Sequence, residues 1–180
     1  MKFNEEKLIK KALDFGFDSV VKLNREALEF NPLIRDMCAQ NRCRIYGKSW
    51  SCPPAIGSIE DSFNRTKDYT DGIIIECIIP LEDDFDYESM EKGAIKHQKM
   101  VMDFSQKLKE EGYDILPMAS GACRLCDKCT YPDSPCRFPD KTISAMEAYG
   151  IFVSDLCKKS GIKYNNGPLT MTYIGCILFK

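Results

Sequence analysis

Histidine is nearly missing from this 180-residue chain: His97 stands alone, beside a single tryptophan, Trp50. One imidazole disfavours every site that needs several, including mixed histidine–carboxylate zinc hydrolases and two-histidine iron oxygenases. A formal charge of −2 leaves no global basic field for nucleic acid and no acidic tail. No window approaches the roughly 18 apolar residues of a membrane span. The N-terminus, Met1-Lys2-Phe3-Asn4-Glu5-Glu6-Lys7, is charged and has no apolar signal core. There is no P-loop, no Gly-x-Gly-x-x-Gly and no Gly-x-Ser-x-Gly, and no carboxylate pair stands at catalytic spacing. These absences predict a cytoplasmic protein with no nucleic-acid or membrane partner.

What the chain has instead is cysteine, ten residues in all. They admit a disulfide scaffold, thiolate-bound metal or buried packing thiols. A reduced cytoplasm disfavours disulfides, and 180 residues can bury a core without staples. The positions cluster. Cys38, Cys43 and Cys52 form C-x4-C-x8-C; Cys123, Cys126, Cys129 and Cys136 form C-x2-C-x2-C-x6-C; Cys157 follows in the next helical pattern. Cys77 and Cys176 lie alone in isoleucine-rich runs and read as core residues.

Asn4 caps a first helix that Gly16 stops, with Leu8, Ile9, Ala12 and Leu13 as its apolar face. Asp18 to Leu23 reads as a short strand, and Pro32 opens a brief helix that carries Cys38. Residues 43–57 are irregular, broken by Gly47, Pro53, Pro54 and Gly57. A β-branched run from Gly72 to Pro80 predicts a buried strand, and the longest helix follows over about Ser89 to Glu111. His97, between Lys96 and Gln98 on that helix, reads as solvated. A third strand, about Tyr113 to Ala119, delivers the chain to Cys123. Ser144-Ala145-Met146-Glu147 reads as a capping box opening a helix to Lys159, and Leu169 to Phe179 as a last strand. The expectation is one α+β domain over residues 1–180: a mixed sheet of about four strands covered by helices, with two Cys-rich loops at one edge.

The most specific signal is Cys123-x2-Cys126-x2-Cys129. Zinc sites pair cysteines as C-x2-C with the second pair well separated, whereas three thiolates at successive x2 intervals suit a polynuclear cluster. Bacterial ferredoxins share that triple, but here Cys136 lies x6 rather than x3 beyond it. Gly121 and Ala122 leave the backbone room near inorganic sulfide. Two stretches, 35–52 and 123–141, carry eight cations (Arg35, Arg42, Arg44, Lys48, Arg124, Lys128, Arg137 and Lys141) against four aspartates. Net positive charge of this kind stabilises an anionic thiolate cluster. Trp50, beside Cys52, either shields a cluster from water or anchors its loop.

The stretch Cys43-Arg44-Ile45-Tyr46-Gly47-Lys48-Ser49-Trp50-Ser51-Cys52-Pro53-Pro54, the Cys123–Cys136 run with Arg137 and Pro139, and Ser144-x-Met146-Glu147-Ala148-Tyr149-Gly150-Ile151 together resemble a family. It is a domain-of-unknown-function family of predicted metal-binding proteins, common in anaerobic bacteria and archaea. The resemblance implies a metal, iron–sulfur above all, in an anaerobic cytoplasm; it implies no substrate.

These observations predict one or two [4Fe–4S] clusters, with Cys38, Cys43, Cys52, Cys123, Cys126, Cys129, Cys136 and Cys157 as candidate ligands. Arg44, Lys48, Trp50, Arg124 and Arg137 are candidates to surround them. Electron transfer with a redox partner protein is the first function expected, and a homodimer would fit. A catalytic cluster with an open iron, acting on a small molecule, is the alternative from another class. A structural zinc module is the third.

Overall fold

The computed structural model describes residues 1–180. Five strands form one mixed sheet in the order β1-β2-β5-β3-β4. They are β1 (Ser19–Lys22), β2 (Asp71–Pro80), β3 (Ile115–Ala119), β4 (Ser144–Ala145) and β5 (Thr170–Phe179). Neighbours run antiparallel except β3 and β4, which pair in parallel. Five α-helices accompany them: α1 (Glu5–Phe15), α2 (Pro32–Ala39), α3 (Ile59–Thr66), α4 (Tyr87–Glu110) and α5 (Val153–Ser160). None is long and apolar enough to cross a membrane.

The sheet is buried on both faces, which explains the unbroken isoleucine run of β2. Ile73, Ile75 and Cys77 point to one face, where Leu8 and Ala12 of α1 and Val101, Phe104 and Leu108 of α4 cover them. Ile74 points to the other, where Leu156 and Cys157 of α5 pack with Met146, Ala148 and Ile151. On β5 the same alternation sends Ile177 and Phe179 to the first face and Cys176 and Leu178 to the second.

Local signals explain most of the elements. Asn4 accepts the Lys7 N–H at 2.9 Å, and Gly16 ends α1 at φ +114°. Only Leu8 and Ala12 of its expected apolar face are buried, and Leu13 is exposed. The edge that matters for function is built by β3 and β4. The chain leaves β3 at Ala119, makes a long excursion through four cysteines, and returns at Ser144 to pair beside β3.

Three expectations are corrected here. Ser144–Ala145 is a strand rather than a helix cap, because pairing with Met118 and Ala119 takes their backbone groups. A one-turn 3-10 helix (Glu147–Tyr149) follows, and Gly150 at φ +86° breaks the chain before α5. A Cβ at Gly150 would sit 2.4 Å from Ile59 Cδ1, so both the turn and the close approach require glycine. His97 is fully buried rather than solvated. It shares the inward stripe of α4 with Val101, Phe104 and Leu108, at spacings of four, seven and eleven. Finally, α3 fills a segment for which no element is expected, opened by a capping box between Ser58 and Asp61.

Candidate metal centre

All ten cysteines are free, and the fold divides them into two populations. Cys77, Cys157 and Cys176 are buried in the sheet core. Burial pushes their thiols up to about 12, about 11 and about 12, so they stay protonated. Cys157, a candidate ligand by sequence, packs with Cys176 and Leu156 against β5 rather than facing the loops. The other seven stand at the sheet edge.

Cys123, Cys126, Cys129 and Cys136 line a single small cavity, closed by Trp50, Ser49 and Ser51 from the first Cys-rich loop and by Arg137, Phe138 and Thr142 from the second. Burial raises the Cys123 thiol; the Leu125 N–H opposes this, and Cys136, Cys126 and Cys129 are near enough to raise it further. At Cys129 burial also acts upward. The N–H groups of Tyr131, Trp50 and Thr130 and the Ser49 hydroxyl outweigh it and hold the thiol below its ordinary value. Such a ring of donors favours a thiolate before any metal arrives. The Thr142 hydroxyl lies 3.2 Å from the Cys136 sulfur.

Several contacts fix this loop. Gly121 adopts φ +72°, and Gln98 of α4 donates to the Ser120 carbonyl at 2.9 Å and to that of Ala122. His97 Nδ1 lies 2.9 Å from the Ser120 hydroxyl, while its Nε2 has no partner and faces Gly175. Burial lowers His97 to about 4, so a neutral imidazole holds the end of β3 where the cysteines begin. Trp50 stacks edge-on against Tyr131 at 4.9 Å, and its indole N–H donates to the Ser134 carbonyl at 3.1 Å. It is therefore both a wall of the cavity and an anchor of the loop. Arg137 donates to the Lys128 carbonyl at 3.0 Å.

The second group is Cys38, Cys43 and Cys52. Burial raises Cys52, the Ser51 hydroxyl opposes this, and Cys43 and Cys38 add to the rise. Burial likewise raises Cys38, with Glu147 and Cys43 adding and Arg35 opposing. Cys38 lies in the last turn of α2 and Cys43 and Cys52 follow it, where Asn41 (φ +53°) and Arg44 (φ +63°) wind the backbone tightly. Cys38 Sγ lies 3.9 Å from the Glu147 carbonyl oxygen.

Ser51 joins the two groups. It is fully buried; its Oγ accepts the Cys123 N–H at 2.9 Å and lies 3.8 Å from the Cys52 sulfur. Neither Ser49 nor Ser51 stands out in the sequence except by lying between Trp50 and Cys52. Of the candidate cations, Arg137 borders the cavity, whereas Arg124 flanks Cys123 in a neighbouring groove and pairs with Glu91. Arg44 and Lys48 are exposed.

No three of the chain's histidine, cysteine, aspartate and glutamate side chains converge closely enough to hold one ion. Tetrahedral zinc with Zn–S bonds of about 2.3 Å would draw its sulfurs to about 3.8 Å from one another. Four thiols around a shared cavity are a donor set that suits a thiolate-bound metal.

An α+β sheet carrying a cysteine-lined cavity at its edge has the make-up of a metal-binding protein. The chain belongs to the family described as Predicted metal-binding protein (DUF2284), whose family model matches residues 21–179. No curated protein and no solved structure matches it.

Proposed function

We propose that this is an iron–sulfur protein that holds two [4Fe–4S] clusters and passes single electrons to or from a partner oxidoreductase in a reducing, anaerobic cytoplasm. The observation that carries the reading is the cavity shared by Cys123, Cys126, Cys129 and Cys136, with peptide N–H groups aimed at Cys129. Cys38, Cys43 and Cys52 supply the second site. A bound cluster supplies one-electron chemistry, at a potential set by charge, hydrogen bonds and exposure. The chain's own residues do the rest. The donors around Cys129 stabilise the more negative state, and Trp50 and Phe138 limit access of water. Ser51 spans the gap between the sites, so an electron has a short path from one to the other.

A second reading rests on the count of three thiols in the first loop, which leaves one iron open to a small molecule as a Lewis acid. The two readings differ in what reduction does. EPR of anaerobically purified, reduced protein is expected to show two spin-coupled clusters, because the sites share Ser51. One isolated signal, unchanged in Cys43→Ala, would contradict the two-cluster reading.

A further inference from the structure

The motif Ser144-x-Met146-Glu147-Ala148-Tyr149-Gly150-Ile151 contributes no sulfur. Two of its side chains, Ser144 and Tyr149, instead line a cavity of about 260 Å³ beside β3. The fold opens this cavity because β4 is only two residues long. It pairs with Met118 and Ala119 alone, so the outer edge of β3 from Ile115 to Pro117 has no strand next to it. Met102, Ser105 and Lys109 of α4 cover the gap on one side, and residues 139–143 cover it on the other. Peptide groups at a strand edge without a neighbour are free to meet a ligand.

One polar group inside is unsatisfied. Ser105 is 3 % exposed and lines the cavity, yet its hydroxyl has no hydrogen-bond partner. The buried hydroxyls of Ser62 and Thr66 in α3 donate to carbonyls one turn earlier, at 3.0 and 3.3 Å. Ser105, also on a helix, makes no such bond, and a buried hydroxyl left unpaired is costly. At the mouth stand Lys109, Lys141 and Asp140, all exposed and none in an ion pair, whereas Asp103 is neutralised by Lys99. Two lysines against one aspartate leave the mouth with a net positive charge. Thr142 lines both this cavity and the four-cysteine one, and its hydroxyl lies 3.2 Å from the Cys136 sulfur. A molecule held here is therefore one side chain away from the metal centre.

We propose that this cavity binds a small hydroxylated carboxylate, with a ligand hydroxyl paired to Ser105 and the carboxylate facing Lys109 and Lys141. The volume equals about eight waters at ~30 Å³ each, so a three- or four-carbon acid fits. Apolar walls from Ile115, Pro117 and Ile143 with a few convergent polar groups are the usual make-up of such a site. The inference stands apart from the two-cluster reading, because no cysteine lines the cavity.

The test is calorimetric titration of the anaerobically purified protein with glycerate, lactate and malate, and with glycerol and acetate as partial mimics. At least one of the three hydroxy acids is expected to bind saturably, with glycerol and acetate weaker by about fivefold or more, the equivalent of one lost polar contact. Ser105→Ala is expected to weaken that acid about fivefold and to leave acetate unchanged. Ser105→Met, which fills the cavity, is expected to abolish binding. The double variant Lys109→Gln, Lys141→Gln is expected to weaken the acid and to flatten its salt dependence. No saturable binding of any of the three acids would overturn the proposal. So would glycerol binding as tightly as glycerate, or Ser105→Ala and Ser105→Met proteins that bind as wild type does.

Discussion

Ten residues of one type meet two fates in this fold. Cys77, Cys157 and Cys176 lie among isoleucines and leucines of the core, with their thiols raised by burial that Lys96 near Cys77 and Arg25 near Cys176 do not offset. Six of the seven edge cysteines stand in irregular backbone, with Cys38 in the last turn of α2, and at Cys129 peptide N–H groups and the Ser49 hydroxyl outweigh burial. The difference is not one of composition or even of exposure alone. Strands and helices spend their N–H groups on backbone carbonyls, so Cys77 and Cys176 in strands and Cys157 in α5 have none left for sulfur. A winding loop has spare N–H groups and can turn them on a thiolate.

The largest expected effect falls on the edge. Cys126→Ala should remove one cluster, about four irons of eight, as read by iron and sulfide analysis. Equal loss from Cys176→Ala would erase the distinction between the two populations. The next test addresses the link between the loops. Ser51→Ala leaves the buried Cys123 N–H without its acceptor and should cost about 2 kcal/mol in denaturant unfolding.

His97 sharpens the boundary between core and edge, because it lies in the core and holds the first residue of the loop. Its folded pKa of about 4 is below the unfolded value of about 6.5, so the unfolded chain binds the proton more readily. The stability this neutral imidazole contributes is therefore full above pH 6.5 and falls as pH drops toward 4. Between pH 7 and pH 5 the loss should be about 2 kcal/mol, measured by urea unfolding, and His97→Gln should remove that slope. The smallest effect belongs to the core: Cys176→Ala should cost about 1 kcal/mol through the small cavity it leaves, with iron content unchanged.

Much of this contrast is legible in sequence. The spacing of the seven edge cysteines, the β-branched setting of Cys77 and Cys176, the cap at Asn4 and the stop at Gly16 all point to what the fold does with them. The α+β class and the siting of both Cys-rich loops at one edge follow from element order. What local patterns could not show depends on contacts distant in sequence. Ser144 to Glu147 fits a capping box, but pairing with β3 prevails over that local preference. Lys96 and Gln98 make His97 look solvated, although its spacing to Val101 and Phe104 marks the buried stripe. Cys157 follows the cluster loop closely in sequence, yet the break at Gly150 turns α5 back onto the sheet. Ser51 gains meaning only when the two loops meet.

The central claim is that the edge thiols hold clusters rather than single ions. Iron, acid-labile sulfide and zinc, measured together on protein purified without oxygen, test it most directly. About eight irons with matching sulfide and no stoichiometric zinc are expected. Stoichiometric zinc with no labile sulfide would contradict it.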